Sequence, residues 1–465
     1  RIGISLVPGA TTFAALANAG LSAVKADWVA VSPADIRLAP YALAEIALDI
    51  QKHPDTDLVY TDEDKIDPVS GTRWDPFFQP DWSPELHLAK DYLGPAVFFR
   101  NTLLSRVGRL ADDLPGAETY DLSLRATEKT RRIRHLARPA VSRAAILDEP
   151  TPVHPAAGIS AAEALGRAMS RRGIDATIEP GNQPGLWRVR HAIEHNPGVT
   201  IVMPSGGKMQ FLEPCMDDLI NRTTYDNLSI LILDNSTDGE IESLVDSLLP
   251  VFPRIKRVPV DLQPFNFSAL INKALPHIDT EYALLLNDDI TVITPDWVEA
   301  MLEYAQQPEI GVVGAKLLYP DGTIQHAGVT LGPYEGTGHA FKFFRGDKPG
   351  YFGVPDAVCN YLGVTFACAL MRTDLLKTLG GLDEVNLPIA FNDVDFCLRA
   401  YEAGYRNVYT PHAALVHHES VTKKVIAKPS DIGRLRTRWG RFIENDPYYN
   451  RNLTRKGEDG GLRMD

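Results

Sequence analysis

The stretch EYALLLNDDITVITP (residues 281–295) holds a buried strand, an acidic turn and a helix start within fifteen positions. Residues 282–286 are an uninterrupted apolar run, the pattern of a strand covered on both faces. Asn287-Asp288-Asp289 ends that run. Thr294 is placed to cap a helix with Pro295 in its first turn and Trp297, Met301 and Leu302 as its apolar positions. Residues 199–204, 228–234 and 311–317 read as further short apolar strands, with helical patterns between them. Strands alternating with helices predict an α/β fold built on a mostly parallel, doubly wound sheet. Ligands of such sheets sit beyond the carboxyl ends of the strands, where Asp234 and Asn287-Asp288-Asp289 fall.

The opening stretch has an earlier echo in ADWVAVSPADIRLAP (26–40). Two more follow in the same order: VFFRNTLLSRVGRL (97–110) with ALMRTDLLKTLGGL (369–382), and YDLSLRATE (120–128) with VDFCLRAYE (394–402). Three matches in one order predict a duplicated domain, with an insertion in the second copy over the Gly- and aromatic-rich residues 331–364. The first copy is recognisable only from about residue 21, so its first half is expected to lie upstream of Arg1 or to be lost. The chain starts Arg-Ile-Gly, without Met. Ser160-Ala-Ala-Glu163 predicts a capping box opening a helix that stops at Gly173. Residues 179–198, rich in Pro and Gly, read as a linker. The expected plan is a partial first domain (1–150), a helix and linker (151–198), a complete second domain (199–425) and a C-terminal helix and tail (426–465).

Composition narrows the function. A length of 465 residues, 44% hydrophobic and 23% charged, fits two or three globular domains. The net charge of −13 argues against a nucleic-acid partner, whose phosphates are gripped by Lys and Arg clusters. The four cysteines have no CxxC spacing, which disfavours zinc and a disulfide framework and fits a reducing cytosol. The apolar run 358–371, interrupted by Asn360, is shorter than the roughly 20 residues of a membrane span.

Candidate chemistry gathers at two places. Asn287-Asp288-Asp289 offers the hard oxygen ligands that Mg²⁺ or Mn²⁺ prefers, although Asn and Asp also favour turns on conformational grounds alone. In FNDVDFCLRAYEAGYRNVYTPHAALVHHES (391–420), Asp393 and Asp395 begin a helix, and His417 and His418 follow an apolar strand. Acids at a helix start cap it and favour its dipole; a carboxylate within reach of a hydroxyl also serves as a general base. A neutral imidazole ligates a metal, while a strand-end histidine is often only structural. Asn266 and Asn272, on a short helix after Phe265, face either a ligand or their own backbone as caps.

Taken together, VTIVMP, ILILDNSTDG, PFNFSALINKAL, LLLNDDITVITPDW, GAKLLYPDGTIQHAG, GHAFKFF, FNDVDFCLR and VHHES make residues 199–425 resemble the family 2 glycosyltransferases of GT-A fold. The resemblance is strongest to tandem bacterial enzymes of O-antigen and other surface-polysaccharide synthesis. It implies a metal-dependent, inverting transfer of a sugar from a nucleotide-sugar donor to a growing glycan or lipid-linked glycan acceptor. Pro204 and Asp234 then line the nucleoside pocket; Asn266, Asn272 and Asp288 are added as donor-binding candidates from their own positions in the chain. Asp289 is the metal-binding acid of a DxD-type motif whose first acid is Asn287 here. Asp393 is the base, Asp395 its neighbour and alternate, and His417 or His418 the late metal ligand. The first copy resembles the same family through HPDTDLVYTDEDKID (53–67), DPFFQPDWSPELHL (75–88) and YDLSLR (120–125). It keeps only Asp35 of the acidic motif and has Thr119 where Asp393 stands, so it is expected to be a catalytically inactive scaffold. Residues 430–445, apolar on one face and Arg-rich elsewhere, are a candidate membrane-surface helix on the inner face, or an ordinary helix packed on the sheet. The rival functional readings are a non-catalytic sugar-nucleotide or glycan-binding scaffold and a nucleotidyltransferase, the latter supported only by Ser205-Gly206-Gly207-Lys208.

Overall fold

In the computed structural model, residues 11–146, 156–419 and 428–457 are described. Contacts divide the chain into two units. The first comprises Arg1–Arg190 with Tyr449–Asn452, and the second His191–Tyr448 with Leu453–Asp465. The expected boundary at residue 150, the end of the second domain at 420–425 and Ser420 of the His-His motif lie outside the described residues.

In the second unit the strands are β1 (Val199–Ser205), β2 (Leu228–Asp234), β3 (Ile255–Pro259), β4 (Tyr282–Leu286), β5 (Ile290–Val292), β6 (Ile310–Leu318) and β7 (Ile324–His326). They continue with β8 (Val329–Leu331), β9 (Thr337–His339), β10 (Cys359–Tyr361), β11 (Cys368–Arg372) and β12 (Arg406–His417). The main sheet runs β3-β2-β1-β4-β11-β6-β12-β5, with β7 on β6 and β10 on β12. The α/β expectation holds, and the four apolar runs are strands at the expected places. The sheet is mixed rather than mostly parallel. β3, β2, β1 and β4 are parallel, but β11 enters antiparallel between β4 and β6, and β5 is antiparallel to β12. A central strand covered on both faces reads as the same apolar run whether its neighbours are parallel or antiparallel, so the run alone does not reveal strand direction.

The helices are α1 (Met209–Asn221), α2 (Glu240–Leu248), α3 (Phe267–Asn272), α4 (Trp297–Ala305), α5 (Thr373–Thr378), α6 (Asn392–Glu402) and α7 (Pro429–Glu444). One apolar cluster joins Val202, Leu231, Leu285 and Met371 of the sheet to Leu270, Leu376 and Phe396 of the helices. Trp297 of α4, fully buried, packs on the other side with α4 against β6 and β12. Thr294 does not cap α4. Its hydroxyl accepts from the Ala414 amide of β12 at 2.9 Å, and Asp296 takes the cap position.

α7 answers the question left by its amphipathic pattern. Leu435, Trp439 and Ile443 are buried in a cluster with Val394 and Leu398 of α6 and Leu331 and Leu362. Each such side chain withdrawn from water contributes about 1.5–3 kcal/mol. Trp439 Nε1 donates to Asp395 Oδ1 at 2.9 Å, while Arg399 Nε and Arg438 bind the same fully buried carboxylate at 2.9 and 3.0 Å. Arg434 and Arg441 are held by Asp431 and Glu402. The apolar face is therefore spent on the unit's own core, which corrects the membrane-surface reading. No helix among the described residues is long and apolar enough to cross a membrane.

The first unit has a six-stranded sheet ordered Trp28–Val31, Val97–Arg100, Leu58–Ile66, Ile133–Ala144, Ile36–Leu38, with Arg73–Phe77 on Leu58–Ile66. Its pairings run antiparallel, antiparallel, parallel, antiparallel, and the added strand is antiparallel. β4, β11, β6, β12, β5 and the added β7 are paired in the same order and senses. The helix expected from Ser160 begins earlier, spanning Ala157–Arg172, so Ser160 lies inside it rather than capping it; Gly173, at φ 67°, ends it as expected. The expected linker instead contains two paired strands, Ala176–Pro180 and Trp187–His191. Gly181 and Gly185 fall in the turn between them, where a linker and a hairpin look alike in composition.

Because Asp395 is a carboxylate at zero exposure with three donors, truncating it removes the acceptor of the buried Trp439 indole and the counter-charge of Arg399 and Arg438. Asp395→Ala is expected to cost about 3–5 kcal/mol, the scale for breaking a buried ion pair. Denaturant melts of the full chain measure this, and an unchanged midpoint would remove Asp395 from its anchoring role.

Candidate active site

The site begins with a strand register. β5 pairs antiparallel with the end of β12 so that Ile290 lies opposite His417. Asp289 directly precedes Ile290, and the His418 amide donates to the Asp289 carbonyl at 3.0 Å. This register brings His417 Nε2 to 3.1 Å from Asp289 Oδ1 and 3.0 Å from Asn287 Nδ2. Both Asp289 and His417 are buried. Side chains alternate along a strand, so His418 turns the other way, to Thr291 Oγ1 at 2.9 Å and towards the Phe211 ring. The histidine pair is thereby divided: His417 faces the acid and His418 does not.

Asp288 accepts from Ser205 Oγ at 2.6 Å, at the end of β1 beside the half-buried Pro204. Burial, helped by the Asp289 charge, raises its pKa above the usual carboxylate range. Asp234 ends β2 alongside Ser205. Burial pushes its pKa up, but the Ser236 hydroxyl and amide at 2.6 and 2.8 Å and Arg257 Nε at 2.6 Å outweigh it and hold the pKa low. Asp234 is thus an ionised, tightly held acid at the strand end.

The second acidic group joins the first through the segment 365–367. The Asn287 amide donates to the Ala367 carbonyl at 3.0 Å. From the same segment, the Phe366 amide and the Thr365 side chain hydrogen-bond to the Asp393 carboxylate, whose Oδ1 also accepts from the Val394 amide at 2.8 Å. Asp393 is half-buried. Burial raises its pKa despite these hydrogen bonds, in the direction that suits a proton acceptor near neutral pH. Asp395, two residues on, points into the protein and is consumed by α7, so it is a structural residue rather than a second base.

Asn266 and Asn272 are both engaged by the protein itself. Asn266 caps α3, accepting from the Ala269 amide at 2.9 Å and donating to the Glu384 carbonyl at 2.9 Å. Asn272 bonds the Leu382 amide and carbonyl at 2.8 and 2.9 Å and Glu384 at 3.0 Å. Gly381, at φ 72°, leaves no room there for a Cβ against the Asn272 amide. Ser268 adds bonds to Leu387 and Pro388, and Asn392 reaches Ser268 Oγ at 3.1 Å. α3 therefore fixes the loop that delivers Asp393.

Sequence reasoning assigned no role to Thr365, Phe366, Gln325 and His326. Gln325 Oε1 lies 2.5 Å from His417 Nδ1, and the Thr365 amide approaches His326 Nε2 at 3.4 Å. The only available signal was the adjacent Gln-His pair within GTIQHAG.

Among the described residues no three His, Cys, Asp or Glu side chains form a metal cage. Asp289 and His417 nevertheless suit a cation that also takes ligands from a substrate. Mg²⁺ is usually held by one or two carboxylates plus phosphates, and neighbouring ligands at about 2.1 Å in an octahedron stand about 3.0 Å apart. The observed 3.1 Å between Nε2 and Oδ1 matches that edge.

This arrangement sits in a recognised sequence setting: residues 200–380 match the profile of Glycosyl transferase family 2. The second unit carries a domain of that family. Over 461 residues, 96% of its length, the chain is 36% identical to the O-antigen biosynthesis protein RfbC of Myxococcus xanthus, covering 35% of that protein. An uncharacterized protein, y4gI, of Sinorhizobium fredii is 35% identical over 95% of the chain and 50% of its own length. The N-acetylglucosaminyl-diphospho-decaprenol L-rhamnosyltransferase of Mycobacterium tuberculosis is 24% identical over 42% of the chain and 67% of that enzyme. The chain thus spans half or less of the length of its two full-span relatives.

A raised carboxyl pKa carries a sign for stability. Asp393 binds its proton more tightly folded than unfolded, so the parent loses stability as pH rises from the ordinary aspartate range through the raised value. Asp393→Asn does not titrate. It is expected to melt at or above the parent at about pH 8, with the advantage shrinking towards about pH 4. Calorimetry across that range checks the sign; an Asn variant losing ground at high pH would reverse it.

Proposed function

We propose that the chain transfers a sugar from a nucleotide-sugar donor to a growing bacterial surface glycan, free or lipid-linked, with net inversion at the anomeric carbon. The observation that carries this reading is the convergence of Asp289 and His417 at 3.1 Å, linked through 365–367 to a proton-accepting Asp393. The family assignment of residues 200–380 and the RfbC relative support the substrate class.

The nucleoside lies at the ends of β1 and β2, beside Pro204 and the ionised Asp234, with Asp288 next to it. Asp289 and His417 would hold a divalent cation that also takes ligands from the donor. When bound, Mn²⁺ or Mg²⁺ supplies Lewis-acid neutralisation of the departing diphosphate. Asp393 takes the proton of the acceptor hydroxyl as its oxygen bonds the anomeric carbon; the bond from that carbon to the phosphate oxygen breaks, and the nucleoside diphosphate leaves with the electron pair. Asn287, in place of a first acid, donates from its amide to His417 and leaves ligation to Asp289.

We read the first unit as a second copy of the same half-domain, from its matched segments and strand pairings, with the chemistry lost. The three parallel strands β1–β3 have no counterpart among its described residues, and Thr119 occupies the Asp393 position. It acts as scaffold or acceptor holder.

A screen of nucleotide sugars for nucleoside-diphosphate release, with Mn²⁺ or Mg²⁺, tests the activity. Asp289→Ala is expected to abolish metal-stimulated donor binding while circular dichroism stays unchanged; unaltered metal dependence in calorimetry would reject the cation assignment. Asp393→Asn should bind donor but transfer about 10²-fold more slowly or worse, the scale for a missing general base. Near-normal turnover would return Asp393 to a helix-capping role. Donor titration should give one equivalent per chain, and two would restore a site to the first unit.

A further inference from the structure

β7 is three residues long, yet its neighbours Gln325 and His326 reach both halves of the site. Gln325 is buried and makes two side-chain contacts. Its Nε2 donates to Glu419 Oε2 at 3.3 Å, and its Oε1 lies 2.5 Å from His417 Nδ1. A carboxylate accepts and does not donate, so Glu419 decides which way the Gln325 amide faces. The amide oxygen is then turned to His417, and an amide oxygen only accepts. Nδ1 must carry the hydrogen. In a neutral imidazole the lone pair is consequently on Nε2, the atom 3.1 Å from Asp289 Oδ1. Asn287 Nδ2, a donor 3.0 Å from Nε2, agrees with that tautomer; the Asp289 carboxylate oxygen is an acceptor like the bare Nε2, and a cation between the two relieves their approach.

We propose that Gln325 is a positioning residue that fixes the tautomer and ring direction of His417, so that Nε2 is offered to the divalent cation shared with Asp289. The inference rests on the cation assignment made above. The opposite tautomer would place Nε2–H against the cation and remove His417 as a ligand. Groups that orient ligating histidines in this way alter metal affinity by about 10–100-fold when lost. Alternation on β7 sends His326 to the other side, where its Nε2 accepts from the Thr365 amide that precedes the Asp393-binding Phe366.

Two measurements on the full chain test it. Long-range ¹⁵N–¹H NMR of the histidine-labelled protein at about pH 8, with His417 assigned by His417→Gln, should show Nδ1 protonated before metal is added. Mn²⁺ titration followed by electron paramagnetic resonance should show affinity lower by about 10–100-fold in Gln325→Leu. An Nε2–H tautomer in the parent, or unchanged Mn²⁺ affinity in Gln325→Leu, overturns the inference and leaves the cation assignment standing. A parent chain that binds no Mn²⁺ overturns both. The NMR result needs no variant, so a misfolded Gln325→Leu does not shelter the proposal.

Discussion

The antiparallel pairing of β5 with the end of β12 is the constraint on which the site depends. Three residues of β5 suffice because the ladder sets register in whole residues: a slip of one would exchange His417 for His418 and turn the imidazole away from Asp289. The pairing is reinforced where it matters, by the His418 amide on the Asp289 carbonyl and by Thr294 on Ala414. β12 bends on the way, with a register shift against β6 at Ala315 and Lys316. That irregularity falls where the strand leaves the deep sheet for the site, a common place for bulges.

Asp393 and Asp395 show how two like residues in one helical turn acquire opposite duties. They point to different sides of α6. On one side lies the segment 365–367, which offers a few hydrogen bonds and leaves Asp393 half-buried with a raised pKa. On the other lies α7, whose Trp439 and Arg438, with Arg399 of α6 itself, saturate Asp395. The charge that is costly at Asp393 is available for proton transfer. The charge at Asp395 is compensated, and what it secures is the docking of α7 beneath the helix that carries the other acid. α3 performs the corresponding task from the opposite side, tying the loop before α6 through Asn266, Ser268 and Asn272. Asp393 is consequently held by elements that never touch its carboxylate.

The two units share a pattern of strand pairing while differing in the residues at the strand ends. Pairing order follows from apolar runs and connection lengths, which tolerate substitution, whereas a cation site depends on single oxygen and nitrogen atoms. On the reading proposed here, a duplicated half-domain keeps its sheet long after losing its chemistry.

The sequence by itself determined the apolar strands, the helix of Asp393, the amphipathic nature of α7, the acidic turn of Asp289 and the His417-His418 pair, because each is written in local periodicity or in a short polar cluster at a strand end. It could not separate His417 from His418, or Asp393 from Asp395, since alternation and helical facing acquire meaning only once the neighbouring element is known. Asn266 and Asn272 were misread for the same reason: a polar side chain on a short helix bonds whichever partner folding brings, and here that partner is the 382–387 loop. The direction of β11, the burial of the α7 face and the link from Gln325 to His417 were decided by tertiary structure alone. Each joins residues far apart in the chain, and the energy that fixes them comes from burial and hydrogen-bond pairing across that distance, which no local pattern records.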